Sequence, residues 1–129
     1  MRIEHVAIWT RDIEKLKEFY IKYFNGTTGE KYINEKKHFE SYFIKFDETA
    51  RLEIMSMASI PDNLNNTVEQ YIGLTHIAIS VGSKEKVNEI TEKLRQDDYK
   101  ILGEPRMTGD GYYESIVLDV DNNRVEITE

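Results

Sequence analysis

At 129 residues the chain has room for one hydrophobic core and none for two independent domains. Its composition, 40% hydrophobic and 32% charged, fits a soluble globular protein. No apolar stretch approaches the roughly 20 residues of a membrane helix and the N-terminus carries no signal-peptide core, so a cytoplasmic protein without membrane contact is expected. The lack of cysteine excludes disulfides, thiolate metal sites and cysteine nucleophiles, so any metal must be held by nitrogen and oxygen. A net charge of −7, with lysines interleaved among acids, speaks against a nucleic-acid partner.

Residues 3–9 (IEHVAIW) alternate and favour a strand. Asp12 is a plausible helix cap, and Ile13, Leu16, Phe19, Tyr20, Tyr23 and Phe24 form an apolar stripe at helical spacing that ends before Gly26. A strand is predicted over 39–46 (FESYFIKF), then a turn at Asp47 to Ala50 and a further strand over 51–56 (RLEIMS). A polar stretch, 59–66, follows, with a short helix predicted near 67–71. The pattern then returns. Residues 74–81 (LTHIAISV) resemble 3–9, and the helix predicted after Ser83 carries Val87, Ile90 and Leu94 on one face. Gly103 and Pro105 interrupt the chain before strands over 114–120 and 124–128.

The register supports a duplication. His76 follows His5 by 71 positions, and RVEIT at 124–128 follows RLEIM at 51–55 by 73, a difference of one small loop indel. Two strand–helix–strand modules, each too small to cover its own apolar face, are expected to pack into one α+β domain.

Side chains of a strand alternate between its two faces. Val6 and Ile8 therefore oppose His5, Ala7 and Trp9, while Ile77 and Ile79 oppose His76, Ala78 and Ser80. Likewise Leu52 and Ile54 oppose Glu53, and Val125 and Ile127 oppose Glu126. Each polar residue alone has an ordinary explanation, since a strand histidine is usually structural and an outward glutamate usually solvated. What sets His5, Glu53, His76 and Glu126 apart is their equivalent placement in both repeats, on the non-aliphatic face of every strand. On sheets that curl into a cup with the helices outside, the four would meet. Two imidazoles and two carboxylates suit a first-row divalent ion whose shell is completed by waters.

The segments IEHVAI, RLEIM, LTHIAISV and LDVDNNRVEIT together resemble the vicinal oxygen chelate superfamily (glyoxalase, bleomycin resistance and dioxygenase proteins), and the four polar residues resemble the ligand set of glyoxalase I, the lactoylglutathione lyase. The last segment is similar to the family's DPDGNRIEI ending, with Val120 in place of proline and Asn122 in place of glycine. The resemblance covers nearly the whole chain. It implies one domain over 1–129, with a first module at about 1–57, a linker at about 58–72 and a second module at about 73–129: two tandem βαβββ modules whose sheets curl into a cup around a metal site. It also implies that His5, Glu53, His76 and Glu126 ligate one divalent metal ion, nickel or cobalt being favoured and zinc or manganese alternatives.

The activity implied is isomerisation of a hemithioacetal, formed from a thiol and a 2-oxoaldehyde, to an S-2-hydroxyacyl thioester, with Glu126 and Glu53 as catalytic proton carriers. A metal with open positions binds neighbouring substrate oxygens and stabilises an enediolate in such a reaction. The implied partners are a small-molecule substrate, with or without a low-molecular-weight thiol, and a second copy in a homodimer. Dioxygenases and fosfomycin-acting thiol transferases of the superfamily usually lack a carboxylate at the Glu53 position, and drug-sequestering members lack the ligands altogether; these are the alternative functions. Trp9 and Met55 are candidates for an apolar wall, residues 106–113 for a hairpin connection or a covering loop, and Arg11, Arg51 and Arg106 for pairing with substrate carboxylates.

Overall fold

In a computed structural model of the chain, β1 (His5–Trp9) leads into α1 (Ile13–Phe24), and Asp12 caps the helix by accepting from the Lys15 backbone N–H at 3.1 Å. The structure describes residues 1–47, 49–64 and 66–129. They form two units, Met1–Asp62 and Asn63–Glu129.

In the first unit, all six residues of the predicted helical stripe are buried, together with Ile44, Leu52 and Ile54 of the sheet. The helix ends on Asn25, whose φ of 53° is left-handed, and the Gly26 N–H donates to the Tyr20 carbonyl at 3.2 Å. Gly26 is required for a different reason. A Cβ there would lie 2.7 Å from Ile44 Cγ2. Two short strands, β2 (Thr27–Thr28) and β3 (Tyr32–Asn34), precede β4 (Phe39–Lys45) and β5 (Arg51–Met57). The sheet runs in the order β1-β5-β4-β2, with β3 also paired to β4; β1 and β5 are parallel, and β4 is antiparallel to β5.

The second unit repeats the plan with β6 (His76–Ser80), α2 (Lys84–Gln96), β7 (Ile101–Met107), β8 (Tyr113–Leu118) and β9 (Arg124–Thr128), in the order β6-β9-β8-β7. Its first and last strands are again parallel. Ser83 caps α2 by accepting from the Lys86 N–H at 3.3 Å. The buried face of this helix is Val87, Thr91 and Leu94, with the predicted Ile90 only half-buried. Thr91 Oγ1 donates to the Val87 carbonyl at 2.6 Å and lies 2.6 Å from Ser115 Oγ in β8, so a buried polar pair joins helix to sheet.

Two expectations are corrected. Gly103 and Pro105 do not stop the chain: they lie within β7, which runs along the sheet edge with register shifts around Gly103 and Arg106, where a proline's missing N–H does no harm. The short helix near 67–71 does not form. Instead Asn66 Oδ1 accepts from the N–H groups of Val68 and Glu69, both at 2.8 Å, which satisfies those donors in a side-chain turn. No described helix is long and apolar enough to cross a membrane.

Candidate functional site

The parallel pairs set the site geometry. In the first unit Ala7 is the cross-strand partner of Glu53, and His5 is the partner of Arg51. His5 and Glu53 are therefore diagonal neighbours on one face, and His5 Nε2 lies 3.8 Å from Glu53 Oε2. In the second unit Ala78 pairs with Glu126 and His76 with Arg124, and His76 Nε2 lies 3.2 Å from Glu126 Oε2. Both pairs thus sit at the same register, each diagonal flanked by a small alanine on one strand and an arginine on the other. The histidine side chains are about 40% exposed (40% and 42%) and the carboxylates more sheltered (16% and 19%), so in each pair the imidazole is the more solvent-accessible partner.

Each histidine is also engaged through its other ring nitrogen. Glu4 meets His5 Nδ1, and Thr75 Oγ1 lies 3.0 Å from His76 Nδ1. Phe43 of β4, opposite Glu53, packs edge-on against the His5 ring with centroids 5.5 Å apart.

In the second unit, Glu114 is the cross-strand neighbour of Thr128 in β9 and of Arg106 in β7, which puts a second carboxyl on the face of Glu126. Burial pushes the Glu114 carboxyl up, and the charge of Glu126 adds to this while Arg106 opposes it. On the same face the Thr128 hydroxyl is buried without a hydrogen-bond partner among the described residues.

The hairpin between β8 and β9, the strand of Glu126, is ordered by Asp119. Asp119, buried, accepts from the N–H groups of Asp121 and Asn123, both at 2.9 Å, and from the Asn123 side-chain amide. Asn122 takes a φ of 63°, a left-handed conformation that asparagine tolerates better than most residues. Burial pushes the Asp119 carboxyl up to about 6, against the pull of its hydrogen bonds from Asn123 and Asp121.

Of the residues singled out in the sequence, His5 and Glu53 come together in one unit and His76 and Glu126 in the other. Among the described residues no group of three or more His, Asp or Glu is gathered that could hold a metal ion. Each unit supplies one imidazole nitrogen and one carboxylate oxygen on one strand face, a donor pair of the kind first-row divalent ions take. Trp9 lies on the face of His5, packed edge-on against Phe39 with centroids 6.0 Å apart, and Met55 is its cross-strand partner. Arg11 donates to Asp62 from Nε at 2.9 Å and Nη2 at 2.7 Å, whereas Arg51 pairs with Glu4. Residues 108–112 form a hairpin connection closed by the Thr108 N–H donating to the Tyr112 carbonyl at 2.8 Å. Glu4, Phe43 and Glu114 were not legible as site residues. Parity counted back from Glu126 through the β8–β9 hairpin is the signal that points to Glu114.

Two βαβββ-like modules, each with a mixed sheet whose parallel first and last strands carry a diagonal His–Glu pair, define the class of protein. The sequence matches the profile of the Glyoxalase/Bleomycin resistance protein/Dioxygenase superfamily over residues 2–127, and the chain belongs to that superfamily. It is 37% identical over 59 residues to YqjT, an uncharacterized protein of Bacillus subtilis (strain 168); the match spans 43% of this chain and only 46% of YqjT. Among solved structures, its fold is similar to that of the trypanothione-dependent glyoxalase I of Leishmania major, at 19% identity and a TM-score of 0.77, covering 100% of this chain and 86% of that one. A glyoxalase family protein from Enterococcus faecalis is similar at 22% identity and a TM-score of 0.78, covering 99% and 97%. A glyoxalase I mutant from Zea mays matches 98% of this chain and 44% of its own, at 17% identity and a TM-score of 0.80. At these identities the structural likeness is one of fold.

Proposed function

We propose that the chain is a metal-dependent isomerase of the glyoxalase I type, converting a hemithioacetal of a thiol and a 2-oxoaldehyde to an S-2-hydroxyacyl thioester. The observation that carries this reading is the identical diagonal register of His5 with Glu53 and of His76 with Glu126. In this proposal the two modules act as one domain and the four residues share one divalent ion, nickel or cobalt before zinc or manganese. Two chains pair so that each ion is ligated from modules of both.

Such an ion, when bound, supplies Lewis-acid stabilisation of the charge that develops on neighbouring substrate oxygens, worth several kcal/mol. The chain's own residues do the rest. His5 and His76 fix the geometry through Nε2. Glu126 takes the carbon-bound proton and returns it to the adjacent carbon, with Glu53 serving on the opposite side; general acid–base help of this kind contributes roughly 10²–10⁴-fold. Trp9 and Met55 form an apolar wall that limits water at the reacting carbons.

The test is metal stoichiometry of the purified protein, with methylglyoxal turnover assayed across a panel of thiols before and after chelation. Stoichiometric metal and chelator-sensitive thioester formation are expected; a metal-free protein whose stability ignores chelator would sink the reading. Glu53→Gln and Glu126→Gln should each lower turnover by roughly 10²–10⁴-fold. Full activity in the Glu53→Gln protein would point instead to a three-ligand chemistry, a dioxygenase or thiol transferase. Small-angle scattering is expected to report a dimer, and a monomer would remove the shared-ligand arrangement.

A further inference from the structure

The two nitrogens of the His5 ring have different surroundings. Nε2 faces Glu53 at 3.8 Å, whereas Nδ1 meets a carboxylate oxygen of Glu4, the residue immediately before the strand. The other oxygen of Glu4 is held by Arg51 Nη2. Arg51 is the cross-strand partner of His5, and its guanidinium lies 4.1 Å from the centroid of the Phe43 ring. Phe43 in turn meets the His5 ring edge-on. The contacts therefore close into a loop, His5 to Glu4 to Arg51 to Phe43 and back to His5, with only Nε2 left facing the open strand face.

From this arrangement we propose that Glu4 is a positioning residue for His5. This inference rests on the reading of His5 as a metal ligand. An exposed ion pair alone contributes little to stability, but orientation does not depend on that stability. By accepting the Nδ1–H, the Glu4 carboxylate selects the tautomer whose Nε2 carries the free lone pair and holds the ring at the angle that directs this lone pair beside Glu53. Its negative charge also makes the imidazole a stronger donor, as in carboxylate–histidine–metal arrangements. Glu4 can do this while paired with Arg51, because the two contacts use different oxygens. The second unit lacks the charge: the neighbour of His76 Nδ1 is the neutral hydroxyl of Thr75. The two histidines of the repeat are thus unequal donors, His5 being the stronger.

The test uses the full chain, with nickel(II) alone as the probe, titrated against a competing chelator in the wild type and in the Glu4→Ala and Glu4→Gln variants. Glu4→Ala is expected to weaken nickel binding about 10–100-fold, and Glu4→Gln, which keeps a neutral acceptor, to fall between it and the wild type. A second readout is nitrogen-15 NMR of the imidazoles in the metal-free protein. Wild-type His5 should show Nδ1–H and a free Nε2, and Glu4→Ala should revert toward the Nε2–H form that free histidine favours. Unchanged thermal midpoints would show that neither effect is unfolding. Unaltered nickel affinity together with an unaltered tautomer in Glu4→Ala would overturn the role of Glu4. A wild type that binds no nickel would instead count against the proposed function, and the tautomer would then decide for or against Glu4 separately.

Discussion

Glu126 lies opposite Ala78, not opposite His76, and this two-residue offset brings its carboxylate to 3.2 Å from His76 Nε2. Glu53, Ala7 and His5 share the arrangement. The alanine is thus part of the site's shape: it flanks the imidazole–carboxylate diagonal on one side, with Arg124 (Arg51 in the first unit) on the other, and it projects just a methyl group.

Ala78→Leu should therefore block cation binding while leaving the fold intact, because the face is open and a larger apolar side chain suits a strand. Metal titration is expected to show an affinity loss of at least roughly tenfold, the scale of losing a supporting contact at a metal site, with the thermal midpoint of the metal-free protein unchanged. Wild-type affinity in Ala78→Leu would mean that His76 and Glu126 do not act together.

Asp119 gives a pH signature. Its carboxyl is raised from an ordinary 3.8 to about 6 in the folded chain, so the folded state holds this proton more tightly than the unfolded state does. Stability from this group is full below about pH 4, declines as pH rises to about 6 and is level above that. Two pKa units correspond to about 3 kcal/mol. Urea unfolding at pH 4 and pH 7 should show a decline in the wild type that Asp119→Asn lacks. Glu14 works in the other direction: Lys17 and Lys31 hold its carboxyl down at about 2, so its contribution is present above about pH 4.5 and lost as pH falls toward 2. Both chains keep Glu14, so their difference isolates Asp119.

The Thr91–Ser115 pair makes a double-mutant prediction. Thr91 gives its one hydroxyl proton to the Val87 carbonyl, so Ser115 must be the donor between the two hydroxyls. Thr91→Val keeps the shape but leaves Ser115 buried without that acceptor, at a cost of about 1–3 kcal/mol. Adding Ser115→Ala should recover part of the loss, measured by urea midpoints. Two independent, additive losses would show that the hydroxyls are not coupled.

The elements whose alternation or helical stripe is strong in local sequence were readable: β1, α1, β4 and β5, then β6, α2, β8 and β9. β2 and β3 were not, because two threonines and a Tyr-Ile-Asn with its first two residues exposed carry no burial alternation; their pairing to β4 alone defines them. β7 was hidden by Gly103 and Pro105, which break an interior strand but not a bulged one at an edge. The predicted helix at 67–71 failed because propensity could not reveal that Asn66 would claim two of its N–H groups. The His–Glu pairs could be found because the sequence states them twice. Phe43 and Glu114 take their roles from cross-strand register and Glu4 from its contacts with His5 and Arg51, which a single copy of each does not disclose.

The bulges and Pro105 in β7 also govern what can be added to the second sheet. A strand that kinks twice and lacks one N–H is a poor template for a newcomer, so that margin resists fibril-like extension. At the opposite end of the sheet order, β6 keeps an unbroken register. By edge regularity alone, β6 is thus the better template of the two, and His76 sits on it.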